Sequence, residues 1–171
     1  MDRLRECFEE LGFENVTTFI ASGNVIFSAS ARDVVALERK IERHLARSLG
    51  YDVATFIRSP AELKATAAFE PSEPVAPFEP SGPGQGAESA SSLYVVFLAA
   101  PADDDLRSRF VASESEMDHF SFSGREIYWH IQGKLTDSPL FGAGLQKVTG
   151  DVPTTMRNMT TVRRLVAKLG A

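Results

Sequence analysis

A proline-rich stretch divides the sequence and limits how the chain can fold. Five prolines lie three residues apart, from Pro71 to Pro83, in a segment (70–92) dominated by Pro, Gly, Ser and Glu. Polyproline II has three residues per turn, so these prolines would line one face of an extended rod. Such a composition cannot bury enough apolar surface to offset the entropy of ordering. We therefore predict an N-terminal half (1–69), a semi-rigid linker (70–92) and a C-terminal half (93–171).

The two halves have similar patterns of helix and strand. In the first half, apolar residues at helical spacing predict helices ending before Gly12 and Gly50, separated by β-rich segments at 16–21 and 25–28. A short strand at 53–57 and a helix opened by the Ser59-Pro60 pair follow. The second half is predicted to contain a strand at 93–98, a helix from Asp103, a hairpin over 120–131, a helix from Ser138 and a last helix from Arg157 or Asn158. This order predicts an α+β fold.

Composition narrows the classes of protein to which this chain can belong. A chain of 171 residues with 43% apolar content can bury a core without a disulfide or metal staple. The only cysteine is Cys7, and no apolar run approaches the roughly 20 residues of a membrane span. The first ten residues are charged and helical in pattern, unlike a signal peptide. We expect a cytoplasmic protein with no membrane association.

The charge distribution argues against a general nucleic-acid binder. The net charge is −5, whereas nucleic-acid-binding proteins usually carry a basic excess. The acidic residues gather before residue 120, and residues 120–171 hold seven basic and three acidic side chains. The basic C-terminal region is therefore the more promising place for an anionic partner.

Metal and cofactor chemistry have no clear sequence signature. His44, His119 and His130 lie far apart, with no further ligand at a typical spacing, and no phosphate-binding glycine loop occurs. We interpret His44 as a residue at the edge of an apolar helix face and His130 as exposed. Cys7 falls on the apolar face of the first helix, where a structural thiol is expected. The sequence predicts neither a metal nor a cofactor.

Two polar segments remain as candidate sites. The first, Ser22-Gly23-Asn24, interrupts a pair of strands. The second, residues 154–158, contains Thr155 and Arg157 and is predicted to open the last helix, where free backbone N–H groups attract anions. From spacing alone, ordinary turn and cap chemistry is the favoured explanation of both segments.

These segments carry a resemblance to a known family. The motifs Leu11-Gly12-Phe13, Ser22-Gly23-Asn24-Val25 and Thr155-Met156-Arg157-Asn158, in this order, resemble the bacterial family catalogued as domain of unknown function 1697. The resemblance implies two related halves, each ferredoxin-like, and implies no reaction. Members usually have Trp-Asn where this chain has Met159-Thr160. They also begin with an apolar strand and a glycine-containing turn that this sequence lacks, so we expect the N-terminal half to miss its first strand.

A small-molecule or anion-binding module is our first hypothesis for the function. Its predicted ligand-binding residues are Ser22, Asn24, Lys134, Thr155, Arg157 and Asn158. The alternatives are an enzyme acting on a phosphorylated or carboxylate substrate, and a protein-interaction module that uses a sheet edge or the proline rod. Arg157 and Asn158 could instead tie the two halves together through buried hydrogen bonds. Self-association through the incomplete N-terminal sheet is also expected, because unpaired strand edges recruit other chains.

Overall fold

A computed structural model of the protein describes residues 2–20, 23–30, 33–70 and 91–170. Helices and two antiparallel sheets make up these ranges, so the predicted α+β class is confirmed. The chain divides into two compact units, Met1–Ile57 and Arg58–Ala171. This division falls before the predicted linker, so the helix opened by Ser59 belongs to the second unit. The linker itself lies almost wholly at 71–90, outside the described residues, and stays a prediction.

The first unit packs two helices against a two-stranded sheet. Its elements are α1 (Asp2–Glu10), β1 (Glu14–Phe19), β2 (Asn24–Ser28) and α2 (Val34–Leu49). The strands are antiparallel, with an irregular register between Glu14 and Thr17. The buried core residues are Cys7, Phe8, Leu37, Ile41 and Leu45. All five come from the two helices.

Local signals fix both ends of α2, and its C-terminal end at Gly50 is where the sequence predicts it. The Asp33 side chain accepts a hydrogen bond from the backbone N–H of Ala36 and caps the first turn. At the other end, Gly50 has φ 83°, a left-handed conformation that costs glycine little. Its N–H donates to the carbonyl of Ala46. Both caps satisfy backbone groups that a bare helix end would leave without partners.

The predicted strand at 53–57 is wrong. The backbone N–H of Thr55 donates to Glu42 Oε1 at 2.8 Å, and that of Ile57 donates to Glu38 Oε1 at 2.7 Å. Both carboxylates project from α2, and Glu38 is only 5% exposed. Side-chain acceptors therefore take hydrogen bonds that a neighbouring strand would otherwise make. The expectations of a missing first strand and of ferredoxin-like halves stay predictions.

The second unit contains a four-stranded antiparallel sheet with strand order β4-β5-β3-β6. Its elements are α3 (Pro60–Ala67), β3 (Ser92–Phe97), α4 (Asp104–Ala112), β4 (Asp118–Ser123), β5 (Glu126–Ile131), a 3₁₀ helix (Leu135–Asp137), α5 (Ala143–Thr149), β6 (Thr155–Asn158) and α6 (Met159–Leu169). Because β3 and β5 are internal, they pair on both sides. Within the described residues, no helix is long and apolar enough to cross a membrane.

The two faces of this sheet differ in character. Side chains alternate between faces along each strand. One face presents Val96, Ile127 and Trp129 to a core that includes Leu106 and Phe110 of α4. The opposite face, called the polar face below, carries the following cross-strand rows of residues: His119 and His130; Ser121, Tyr128, Val95 and Arg157; Ser123, Glu126, Phe97 and Thr155.

One predicted helix start is wrong, and the start predicted for the last helix is correct. The α5 helix begins at Ala143 and not at Ser138, whose hydroxyl donates to Asp118 Oδ1 and accepts from the N–H of Leu140 in the turn before the helix. The α6 helix begins at Met159 with Asn158 as its N-cap, next to the predicted start, whereas residues 155–158 form β6, which pairs with β3. The polar segment around Arg157 is thus a strand rather than a helix N-terminus.

Candidate functional site

Arg157 lies on β6 with its guanidinium half-buried. Its Nη1 donates to Thr155 Oγ1 at 2.7 Å and to the carbonyl of Met156 at 2.8 Å. Both acceptors are neutral. Burial lowers the pKa of Arg157 from its usual value, because desolvation disfavours the charged form. The guanidinium nevertheless stays charged at physiological pH, so this strand presents a partly desolvated cation.

The predicted partners of Arg157 are only partly brought together. Thr155 lies two residues away on the same strand and face, and it touches the guanidinium directly. Asn158 is the next residue along and points to the opposite face. Its Oδ1 accepts from the N–H of Thr160 at 2.8 Å and so caps α6. Capping chemistry therefore explains Asn158, whereas Thr155 and Arg157 form a pair.

The other predicted site residues lie elsewhere. Lys134 is exposed and precedes the 3₁₀ helix, where its carbonyl accepts from the N–H of Asp137. It follows the end of β5 that carries Ile131, whereas Arg157 lies in the row of Tyr128. Asn24 belongs to the first unit, and its Nδ2 donates to the carbonyl of Phe19 at 3.1 Å. Ser22 lies outside the described residues.

Tyr128 is the most buried polar residue of the face that carries Arg157. It is 2% exposed, and its ring stacks on Phe69 with centroids 3.6 Å apart and planes 13° apart. Burial, followed by the charge of Glu126, raises the pKa of Tyr128 to about 12, and a hydrogen bond with Thr66 opposes the shift. The phenol therefore stays neutral at physiological pH and keeps a proton to donate.

A pair of histidines lies beside Tyr128 on the polar face. His119 and His130 are directly opposite each other on β4 and β5. Burial lowers the pKa of His130 from its usual value, and His119 lowers it further. The expectation that His130 is exposed is wrong: it is half-buried, and its Nε2 is buried with no hydrogen-bond partner among the described residues. A buried ring nitrogen of this kind is a candidate contact for a ligand.

The second arginine on the polar face has a structural role. Arg58 Nε lies 2.6 Å from Glu126 Oε1, and the two side chains are 4% and 12% exposed. Its Nη2 donates to the carbonyls of Leu98 and Arg125, and the guanidinium lies over the ring of Phe97. Sequence reasoning missed this ion pair because its members are 68 residues apart and neither lies in a motif.

Asp118 is a further buried acid that the sequence did not single out. Its Oδ1 accepts from Trp129 Nε1 at 2.8 Å and from Ser138 Oγ at 2.7 Å. Its Oδ2 accepts from Ser115 Oγ at 3.0 Å. These hydrogen bonds anchor the segment after β5 to the sheet, since a fully buried carboxylate requires such partners.

The first unit has two notable features of its own. A cavity of about 670 Å³ is lined by Leu11, Phe13 and Lys40 among others. The Lys40 ammonium donates to the carbonyl of Leu11 and lies 5.2 Å from the centroid of the Phe13 ring. Separately, Cys7, Glu10 and His44 bring one potential metal-ligand atom each to within 4.8 Å of one another. The sequence did not predict this cluster, because His44 lies on a different helix from Cys7 and Glu10.

Comparison with known proteins defines the family and the fold. Residues 1–128 match the family described as "Protein of unknown function (DUF1697)", and the chain belongs to that family. The match ends before Thr155 and Arg157. The fold resembles the conserved bacterial protein SP0830 from Streptococcus pneumoniae, with a TM-score of 0.72 and 22% sequence identity, over 100% of this chain and 89% of the other. No curated protein matches the sequence.

Proposed function

We propose that the second unit binds a small anion, a phosphate or a carboxylate, at Arg157 on the polar face. The observation that supports this proposal is the partly desolvated guanidinium, two of whose hydrogen bonds go to the neutral oxygens of Thr155 and Met156. A bound anion would favour the charged form and restore its pKa. It would also accept charge-assisted hydrogen bonds, which are stronger than neutral ones.

Neighbouring groups add donors of the kind an anion needs. The Thr155 hydroxyl already touches the guanidinium. Tyr128 lies in the same cross-strand row, two strands away from Arg157 with Val95 between them, and holds its proton up to about pH 12. A planar guanidinium can bind two oxygens of one phosphate or carboxylate, which favours oxyanions over halides.

One observation supports the enzyme hypothesis, namely the state of His130 on the face that carries Arg157. An enzyme acting on a phosphorylated or carboxylate substrate needs a general base on the face that holds the charge. Since burial and His119 lower the pKa of His130, its imidazole is neutral near pH 7 and able to accept a proton. Binding without catalysis requires no such group, so it remains our first proposal.

Phosphate titration of matched variants tests the proposal. Wild-type protein should gain thermal stability with inorganic phosphate, because a ligand that binds only the native state stabilises it by mass action. Arg157→Met should abolish this response and leave the melting temperature without phosphate nearly unchanged. Arg163→Met is the matched control, since Arg163 is an exposed arginine on α6 and should respond like the wild type. Acetate in place of phosphate separates carboxylate from phosphate preference.

The competing structural role predicts the opposite pattern. If Arg157 serves to hold the fold together, Arg157→Met should lower the melting temperature by many degrees. The wild type should then show no specific response to phosphate or acetate beyond that of the Arg157→Met variant. That result would overturn the anion proposal.

A further inference from the structure

Three side chains with metal-binding atoms converge between α1 and α2. Cys7 and Glu10 are three residues apart on α1, a spacing that places both on one side of the helix. His44 projects toward them from α2, and its Nε2 lies 2.9 Å from Glu10 Oε2. All three potential ligand atoms lie within 4.8 Å of one another. Helix geometry and helix packing therefore bring together residues that the sequence separates.

The donor set suits a particular class of ion. A thiolate sulfur, an imidazole nitrogen and a carboxylate oxygen are the three donor types that Zn²⁺ accepts, at about 2.0–2.3 Å from the metal. Tetrahedral coordination places neighbouring donors roughly 3.5 Å apart at these bond lengths. The cluster needs only small side-chain shifts to reach that spacing. Hard cations such as Mg²⁺ and Ca²⁺ prefer oxygen donors, so the sulfur argues against them.

The burial of the three residues gives the site an inner and an outer side. Cys7 is fully buried, whereas the side chains of His44 and Glu10 are 24% and 46% exposed. An ion arriving from solvent would meet the carboxylate and imidazole first, with the sulfur at the base of the site. Ser48 Oγ lies 3.4 Å from His44 Nε2 and is a neighbouring polar group. With three protein donors, a water molecule would complete a tetrahedron.

Arg3 is the feature that opposes a cation here. Its Nη1 lies 3.2 Å from Glu10 Oε1, the carboxylate oxygen that does not face His44. Because the Arg3 side chain is 53% exposed, it can move into water at little cost when a cation binds. The other oxygen, Oε2, is the one placed for coordination.

We propose that Cys7, Glu10 and His44 form a binding site for a divalent transition-metal ion of the Zn²⁺ class. Binding deprotonates the thiol, so one proton is released to solvent as the metal–sulfur bond forms. A Glu10–His44 hydrogen bond and a core thiol explain the parts separately. Only a metal site requires all three side chains to bind the same ion.

Titration of the full chain with Co²⁺ tests this site directly. Tetrahedral cobalt bound by sulfur shows visible ligand-field bands and a near-ultraviolet thiolate-to-cobalt charge-transfer band. We expect one equivalent to produce both in the wild type. Cys7→Ser should remove the charge-transfer band, and His44→Gln should weaken binding by more than about 10-fold, the lower range seen even for outer-shell changes. His119→Gln is the matched control and should bind like the wild type.

Glu10→Gln keeps the test valid where Cys7→Ser fails to fold. Glu10 is on the surface, so its substitution should leave the fold intact while weakening Co²⁺ binding. Three results would overturn the proposal: a folded wild type with no charge-transfer band, cobalt binding without sulfur bands, and a His44→Gln variant that binds as tightly as the wild type.

Discussion

The two units bury their apolar residues in different ways. In the first unit no described residue of β1 or β2 is fully buried, and the buried core comes from α1 and α2. In the second unit the internal strands β3 and β5 contribute buried residues to both faces of the sheet, including Val95, Tyr128 and Trp129. The first sheet is therefore covered from one side by helices, whereas the second sheet is itself the centre of its core.

This difference has consequences for how each sheet is stabilised. A two-stranded sheet is marginal in water by itself. The first sheet is supported by an aromatic cluster in which Phe8, Phe13 and Phe27 lie with centroids 4.7 to 5.9 Å apart. Among the described residues, β2 pairs with β1 alone. The self-association expected for this unit stays a prediction, which sedimentation equilibrium would test.

We expect the largest difference in stability loss between variants of the two units when an ion pair is removed from each. Arg58→Met should destabilise the protein by about 3–5 kcal/mol, because it leaves Glu126 charged and buried without its partner. Arg3→Met, which removes an exposed pair in the first unit, should cost about 1 kcal/mol or less. Urea unfolding of both variants measures the contrast.

A double variant separates a lost interaction from a stranded charge. Arg58→Met combined with Glu126→Leu should recover most of the lost stability, since replacing a whole buried pair by apolar groups is often neutral. Equal costs for Arg58→Met and Arg3→Met would contradict the contrast between the units.

A smaller effect is expected from the ionisation of Tyr128. Its pKa is raised to about 12 in the folded state, against about 10 in the unfolded chain. The raised pKa of Tyr128 stabilises the folded state to its full extent below pH 10, and this stabilisation is lost as the pH rises through 12. The loss should be about 3 kcal/mol, because the pKa rises by about 2 on folding and each pKa unit is worth about 1.4 kcal/mol. Chemical unfolding at several alkaline pH values measures it.

Tyr128→Phe is the control for this pH dependence. The variant keeps the ring that stacks on Phe69 and has no phenol to ionise, so its stability should fall less between pH 10 and 12. Tyr51 is 63% exposed, and Tyr51→Phe should leave the pH dependence unchanged. Identical alkaline profiles for wild type and Tyr128→Phe would assign the loss to other groups.

Sequence reasoning succeeded where the signals are local. The helix start predicted at Ser59-Pro60 is confirmed by a capping box, in which Ser59 Oγ accepts from the N–H of Glu62 and Glu62 Oε2 accepts from the N–H of Ser59. The left-handed Gly50 likewise ends α2 where the sequence predicts it. Each of these signals spans only a few residues, so the sequence contains all the information required.

Sequence reasoning failed where the partner is distant. Residues 155–158 form a strand only because β3 pairs with them, about 60 residues earlier in the chain. The Thr155–Arg157 contact depends on this strand, because residues two apart share a face only in an extended chain. The Arg58–Glu126 pair and the approach of His44 to Cys7 likewise join distant parts of the sequence. These contacts depend on packing that no local pattern encodes.

The smallest expected effect comes from a matched pair of helix caps, one in each unit. Asp33 caps α2 by accepting from Ala36 N at 3.0 Å, and Asp103 caps α4 by accepting from Leu106 N at 2.8 Å. Replacing either aspartate by alanine should cost about 1 kcal/mol, since one backbone donor loses its acceptor. Because the capping chemistry is the same, any difference in the stability lost by the two variants reflects a difference between the two units and not between the caps.

Calorimetry of the two cap variants shows whether the units unfold separately. If they do, Asp33→Ala should lower only the transition of the first unit and Asp103→Ala only that of the second. Asn at either position should restore most of the loss, because its side-chain oxygen also caps helices well. A single transition shifted equally by both variants would show instead that the different cores of the two units unfold as one cooperative structure.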